Sequence, residues 1–212
     1  MTFAARFHAG LTRLRTRARF RLPPERIPVH FRRAAVLLPF WPDPEADDVC
    51  VLMTRRAVDL AQHAGQTAFP GGRLDAGERW VEAALREAHE EVGLDPHSVE
   101  VIGPLDEAWS GAGHHIVPIV GWLRSPPTLC ANPSEVAAIL IARVSEILRP
   151  ESRGEIEVVH RGVRYRNPTL KFQGGDAHGL SADLLLEAIE WGMGGHPDPG
   201  PTRLDHLQTY FA

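Results

Sequence analysis

The segment GGRLDAGERWVEAALREAHEEVGL, from Gly71 to Leu94, constrains this chain more than any other. It opens as a glycine-containing loop and continues as a helix that we expect to begin just after Glu78 and to end at Val92. Gly93 follows, and glycine readily adopts the left-handed conformation found just past helix ends. Apolar residues at helical spacing would hold this helix on a sheet. They are Val81, Ala84, Leu85, Ala88 and Val92.

A second face of the same helix carries Glu87, Glu90 and Glu91, spaced at i, i+3 and i+4. Like charges at this spacing repel one another. A hard divalent cation would remove that repulsion, because Mg²⁺ and Mn²⁺ prefer carboxylate oxygens. The alternative is a solvated acidic helix face without a ligand. The glycines before the helix, Gly71 and Gly72 among them, let the backbone approach a ligand closely and so favour the metal site.

The fixed positions of this segment resemble the Nudix hydrolase box: Gly72, Glu78 and the run REAHEEVGL from Arg86 to Leu94. The resemblance implies binding of Mg²⁺ or Mn²⁺ and hydrolysis of a phosphoanhydride linked to a nucleoside diphosphate. It also implies a role for each residue at the site. The implied metal ligands are Glu87, Glu90, Glu91 and the backbone carbonyl of Gly71. By the same resemblance, Arg86 orients a catalytic carboxylate and Glu78 supports the loop.

The stretch just upstream, LMTRRAVDLAQHAGQTAFPGG, is similar to the second signature of the coenzyme A pyrophosphatase branch. This similarity implies that coenzyme A or acyl-coenzyme A is cleaved to 3′-phosphoadenosine 5′-phosphate and 4′-phosphopantetheine. Two positions depart from the branch. Ala61 stands where the pattern has an arginine, and His178 stands where relatives often have tryptophan. ADP-ribose, NADH or another nucleotide therefore stays open as the substrate.

Three residues of this upstream stretch are candidates for substrate binding: Arg56, Phe69 and Gly72. Arg55 and Arg56 directly continue the strand predicted at 49–54 and therefore point to opposite faces, so at most one can face the site. Arg56 matches the signature, and a guanidinium suits the phosphates of coenzyme A. For Phe69 we favour the alternative, an ordinary core position. Glu135, in the motif NPSEV, resembles a loop glutamate that positions water or metal in relatives, and either Glu90 or Glu135 would take the proton from water.

Strands and helices alternate along the chain, which predicts an α/β (α+β) fold with a mixed β-sheet sandwiched between α-helices. Ser181 is the expected N-cap of the last helix. The predicted strands are 34–40, 49–54, 99–105, 115–123, 135–144, 155–160 and 163–166, the last two forming a hairpin around Arg161-Gly162. The predicted helices, besides the acidic one, are 144–148 and 181–191.

The first 33 residues carry nine arginines and one acidic residue, Glu25. Such a segment can be a transit peptide, or a basic arm for nucleic acid or an anionic membrane. We favour a docked helix, roughly Phe3 to Arg19, with Phe7, Leu11 and Leu14 packed and the arginines solvated. Deletion of residues 1–21 should then spare hydrolysis. The predicted division is a basic arm (1–30), a Nudix hydrolase domain (31–193) and a Gly/Pro-rich tail (194–212).

Composition limits the remaining alternatives. The 212 residues have no apolar run long enough for a membrane span. Cys50 and Cys130 form no disulfide framework, which favours a reducing, cytoplasmic location. A nucleic-acid-associated regulator would be expected to have an eroded box, and this box is intact. We therefore predict a nucleotide-type small molecule as the partner, and the sequence leaves a homodimer open.

Overall fold

The computed structural model describes residues 1–17, 19, 21, 27–58, 65–110, 112–160 and 163–195. Ala61, the hairpin tip Arg161-Gly162 and nearly all of the predicted tail lie outside these residues. The helices are α1 (Phe3–Thr12), α2 (Trp80–Val92), α3 (Val144–Leu148) and α4 (Gly179–Gly192). No helix among the described residues is long and apolar enough to cross a membrane.

The strands fall into two sheets. The larger sheet contains β1 (Arg32–Pro42), β2 (Val49–Arg56), β3 (Thr67–Ala68), β4 (Gly71–Arg73), β5 (Glu100–Pro104), β6 (Ala108–Ser110), β7 (His114–Trp122) and β8 (Val136–Arg143). The smaller sheet is antiparallel and contains β9 (Arg153–His160), β10 (Val163–Phe172) and β11 (Gly175–His178).

Strand β1 organises the larger sheet. It pairs in parallel with β7, with residues 32–40 opposite 114–122, and antiparallel with β2 and β4. Strand β8 lies on the far side of β2, and β5 lies on the far side of β7. The sheet is therefore mixed, as predicted.

Side chains of β1 alternate between two buried layers, as a strand covered on both faces requires. Leu37 and Trp41 pack with the apolar face of α2. Leu38 and Phe40 pack on the opposite face with residues of α1 and α4. The predicted fold, a mixed sheet between helices, is confirmed.

Several local predictions need correction. Helix α1 ends at Thr12 and is followed by a single 3₁₀ turn, Arg13–Arg15, so the helix does not continue to Arg19. Helix α4 begins at Gly179 with His178 at its N-cap, so Ser181 lies inside the helix and does not cap it. Strands β3, β4, β6 and β11 were not predicted, because strands of two to four residues are too short for an alternating pattern.

The N-terminal segment is docked, and Phe7, Leu11 and Leu14 are buried as predicted. The expectation that its arginines are solvated is wrong for Arg17. The Nη2 atom of Arg17 lies 2.6 Å from Asp106 Oδ1 and 3.2 Å from Glu187 Oε1. The Arg17 side chain is only 10% exposed. Both carboxylates are buried, and Arg17 supplies a counter-charge within the protein.

We predict that Arg17→Ala lowers the free energy of unfolding by about 3 kcal/mol, because it leaves buried carboxylates without this partner. Urea denaturation measures the change. Arg15→Ala is the matched control, since Arg15 pairs with the more exposed Glu100 and such pairs contribute about 0–1 kcal/mol. Equal effects of the two substitutions would contradict the assignment. Deletion of residues 1–21 should likewise destabilise the fold, and the expectation that it spares hydrolysis stays a prediction.

Candidate metal centre

Helix α2 sits on the sheet much as its sequence predicts. Glu82 Oε2 accepts a 2.9 Å hydrogen bond from the backbone N–H of Arg79, which closes the first turn. Gly93 ends the helix with φ of 68°. Ala84, Ala88 and Val92 are fully buried, whereas Val81 and Leu85, also predicted for the apolar stripe, are only partly buried. The position of the helix is thus fixed by small residues in its middle.

Three carboxylates meet beside this helix. One oxygen from each of Glu87, Glu91 and Glu135 lies within 4.8 Å of the others. Glu135 comes from the loop before β8, and its backbone carbonyl accepts a 2.9 Å hydrogen bond from Ala57 just after β2. The end of β2 therefore holds the loop that brings Glu135 to the helix.

Glu91 is the most deeply placed of the three, with a side chain 3% exposed. Its Oε1 lies 3.7 Å from Arg56 Nη1. Its Oε2 is buried and has no hydrogen-bond partner among the described residues. Burial is the main reason that the pKa of Glu91 is raised to about 8; Arg56 opposes the shift, and Glu87 and Glu135 add to it. A buried carboxylate in this setting must hold a proton or meet a cation.

Gly71 and Gly72 make the close approach of the helix possible. A Cβ atom on Gly72 would lie 2.4 Å from Cδ of Glu87, in the space that the carboxylate occupies. A Cβ atom on Gly71 would lie 2.3 Å from the carbonyl oxygen of Ala35 on β1. The backbone N–H of Gly71, like Arg56, works against the burial that raises the pKa of Glu91. The predicted role of the Gly71 carbonyl as a ligand stays a prediction, as does substrate binding by Gly72.

Arg86 forms ion pairs with three glutamates on and just before the helix. Its Nε lies 2.9 Å from Glu78 Oε1, and its Nη1 lies 3.0 Å from Glu87 Oε1 and 2.8 Å from Glu90 Oε2. Its Nη2 donates to the backbone carbonyl of Arg73, 2.9 Å away. Arg86 thus contacts both Glu87 and Glu90, the carboxylates it could orient.

Glu90 differs from its neighbours on the helix. Its side chain is 51% exposed and pairs with Arg86, and it is not part of the three-carboxylate cluster. Helical spacing alone places it with Glu87 and Glu91, but only those two turn inward to meet Glu135. The ligand role predicted for Glu90 therefore stays a prediction, and the cluster offers Glu135 in its place.

The residues of the cluster fit a divalent cation. Three carboxylates supply the hard oxygen donors that Mg²⁺ and Mn²⁺ prefer. The unpartnered, buried Oε2 of Glu91 is an oxygen that such a cation would satisfy. Burial also raises the pKa of Glu87, so in both groups the carboxylate form lacks sufficient solvation without a partner.

The other predicted site residues lie at different distances from this cluster. Arg56 faces it, whereas Arg55 donates to the carbonyl of Gly174 at 3.4 Å, so the two arginines do point apart. Phe69 is 4% exposed and packs in the core layer shared with α1 and α4. His178 lies at the N-cap of α4 and is 2.5 Å from Asp176 Oδ2.

Comparison with known proteins places the chain in a family. Residues 30–171 match the NUDIX domain family. The chain belongs to the Nudix family. The uncharacterized Nudix hydrolase NudL of Photorhabdus laumondii is 40% identical over 169 residues, covering 79% of this chain and 89% of that protein. NudL of Pectobacterium atrosepticum is 36% identical over 172 residues, covering 80% and 88%. The crystal structure of the Nudix hydrolase RenU from M. smegmatis has a TM-score of 0.48 and 27% identity, covering 56% of this chain and 77% of that chain.

The chain is therefore a Nudix hydrolase. Nudix enzymes act on nucleotide-type substrates and generally use a divalent metal, and the glutamate cluster beside α2 is a site suited to that metal. Glu135 was predicted as a site residue only through the resemblance to relatives. Neither its spacing from Glu91 nor its local motif predicts that the two side chains meet.

The raised pKa of Glu91 predicts that the metal-free protein loses stability as pH rises. The folded protein holds this proton up to about pH 8, whereas an ordinary glutamate releases it near 4.5. The contribution of the protonated Glu91 carboxyl group to the free energy of unfolding is therefore fully present below about pH 4.5. It is lost as pH rises to about 8, at about 1.4 kcal/mol per pKa unit. Glu91→Gln should remove this dependence.

Urea denaturation in a chelator at about pH 5 and about pH 8.5 tests the prediction. Wild type should lose at least about 1 kcal/mol more than Glu91→Gln between the two conditions. Glu82→Gln, an exposed change on the same helix, should behave like wild type. An equal pH dependence in wild type and Glu91→Gln would contradict the burial of an unpartnered carboxylate.

Proposed function

We propose that this Nudix hydrolase cleaves the diphosphate of coenzyme A or acyl-coenzyme A in a metal-dependent reaction. The products would be 3′-phosphoadenosine 5′-phosphate and 4′-phosphopantetheine. The observation that carries the metal-dependent chemistry is the meeting of Glu87, Glu91 and Glu135 around an unpartnered buried oxygen. The similarity of residues 52–72 to the coenzyme A pyrophosphatase signature supports the substrate.

The three carboxylates of the cluster are the proposed ligands of Mg²⁺ or Mn²⁺. When bound, such an ion neutralises diphosphate charge and makes a water molecule more acidic. Glu87 and Glu91 present their carboxylates from consecutive turns of α2, and Glu135 presents its own from the loop across from them. Because α2 and the end of β2 fix these positions, little rearrangement is needed to bind the substrate diphosphate.

Glu90 is the proposed acceptor of the proton from the attacking water. It is exposed at the edge of the cluster, where solvent can reach it, and Arg86 holds its carboxylate at 2.8 Å. The same Nη1 atom of Arg86 contacts Glu87, which keeps Glu90 beside the proposed metal ligands. Glu135 is the alternative acceptor, and its place within the cluster makes it the better candidate for a ligand.

Glu90→Gln should lower kcat by about 10²–10⁴-fold, because the amide keeps the shape and cannot accept the proton. Raising the Mg²⁺ concentration should not restore the rate. Glu135→Gln should also lose activity, but added metal should recover part of it if Glu135 is a ligand. Steady-state rates over a range of Mg²⁺ concentrations measure both effects.

Glu82→Gln is the matched control for these two variants and should retain wild-type activity, since among the described residues Glu82 pairs with Arg79 on the exposed first turn and not with the cluster. Near wild-type turnover in Glu90→Gln would overturn the role of Glu90. Recovery of the activity of Glu90→Gln by added metal would instead indicate that Glu90 is a metal ligand.

Arg56 is the proposed contact for the substrate diphosphate. Its Nη1 lies 3.7 Å from Glu91 and its side chain is 27% exposed, so it reaches the cluster and solvent together. A guanidinium at this point would meet the phosphates that are cleaved. The 3′-phosphate of coenzyme A lies on the ribose, away from the scissile bond, so its recognition falls to other residues.

We predict that Arg56→Ala lowers kcat/KM for coenzyme A and for dephospho-coenzyme A by similar factors, roughly ten- to a hundredfold for a loss of about 1.5–3 kcal/mol. Arg55→Ala is the control, because Arg55 is adjacent on the strand and contacts Gly174 instead. A loss confined to coenzyme A would show that Arg56 reads the 3′-phosphate.

A panel of coenzyme A, dephospho-coenzyme A, ADP-ribose and NADH, with products separated by chromatography, tests the substrate itself. Faster cleavage of ADP-ribose or NADH than of coenzyme A would favour the alternative nucleotide pyrophosphatase and leave the metal chemistry intact. The departures at Ala61 and His178 are the reason that this alternative is retained. Binding of these nucleotides without turnover would support a non-catalytic regulator.

A further inference from the structure

A cavity of about 400 Å³ lies between the N-terminal segment and the end of β5. Its lining residues are Leu14, Arg15, Arg17, Arg19, Arg21 and Pro104. Four of these six residues are arginines and none is acidic. Leu14 belongs to the core layer shared with α1 and α4, on the face of the larger sheet opposite α2. The cavity is therefore separate from the carboxylate cluster.

The four arginines are unequally compensated. Arg15 Nη2 lies 2.5 Å from Glu100 Oε1, and Arg17 binds the buried Asp106 and Glu187. Arg19 and Arg21 form no salt bridge with any residue that the structure describes. The cavity wall consequently carries two cations whose charge this part of the chain does not neutralise by direct contact.

Buried donors accompany this excess of positive charge. The Nε atoms of Arg17 and Arg19 are both buried and lack a hydrogen-bond partner within the described part of the chain. Burial, followed by repulsion from Arg21, lowers the pKa of Arg19, and attraction by Glu107 and Asp106 offsets this shift only in part. Like charges held together beside unsatisfied donors are unfavourable unless an anion joins them.

We propose that this cavity binds a phosphate-bearing anion, with Arg19 and Arg21 as its principal ligands. The planar guanidinium group presents paired N–H donors that match phosphate oxygens. The volume is within the range of small-molecule sites and is ample for a phosphate or diphosphate group. The cavity lies on the other face of the sheet from the carboxylate cluster. The anion bound there is therefore distinct from the diphosphate that is cleaved.

Isothermal titration of the full chain with inorganic pyrophosphate tests the proposal. A chelator should be present throughout, so that no divalent metal can recruit pyrophosphate to the carboxylate cluster. Wild type should show saturable binding at one site per chain. Arg21→Gln and Arg19→Gln should each weaken binding by at least about tenfold, the change expected on losing a charge-assisted contact.

Arg164→Gln is the matched control, because it removes the same charge from an exposed arginine paired with Glu157 on the smaller sheet. It should bind pyrophosphate like wild type. Circular dichroism verifies folding, and Arg21→Gln, at an exposed position, remains informative if Arg19→Gln does not fold.

Unsaturable binding to wild type, or equal binding by wild type and both cavity variants, would overturn the site. So would tighter binding of a short DNA duplex that Arg164→Gln weakens as much as Arg21→Gln, since that pattern belongs to a diffuse basic surface. Hydrolytic activity does not enter these measurements, so failure here leaves the proposed function untouched.

Discussion

Burial of the Glu91 carboxylate is the constraint on which the acidic site depends. Placing a charge out of water is unfavourable unless a partner compensates it. Helix α2 cannot rotate to expose Glu91, because Ala88 and Val92 on either side of it along the helix are fully buried against the sheet. The packing that secures the helix therefore forces a carboxylate inward, beside Glu87 and Glu135.

Two arginines contact the glutamates at and around the cluster, one at its outer edge and one on its inner side. Arg86 contacts Glu78 and Glu90, as well as Glu87, at the outer edge. Arg56 is the guanidinium that approaches Glu91 on the inner side. When ionised, three inner carboxylates and Arg56 carry a formal charge of −2, which a divalent cation balances. The glycines at positions 71 and 72 complete the arrangement by leaving room for the backbone and for the Glu87 carboxylate.

The acidic helix was predictable because its signals are local: an apolar stripe, a glycine past its end and carboxylates at helical spacing. The ends of most long strands were predictable within two residues for the same reason, but β10 runs to Phe172, six residues past its predicted end. What periodicity could not resolve is which carboxylates meet. Glu87, Glu90 and Glu91 share a helix face, yet tertiary packing turns Glu90 outward to Arg86 and brings in Glu135 from a distant loop. Arg17 escaped prediction because its partners, Asp106 and Glu187, are remote in sequence.

Buried carboxylates are neutralised to different degrees on the two faces of the larger sheet. On the face covered by α1 and α4, the chain itself provides Arg17 for Asp106 and Glu187 within 3.2 Å. On the face covered by α2, Arg56 stands 3.7 Å from Glu91, and the second oxygen of Glu91 has no partner among the described residues. A charge that the chain neutralises contributes to the fold permanently. A charge that it leaves incompletely neutralised can take a cation from solution, as the proposed metal site requires.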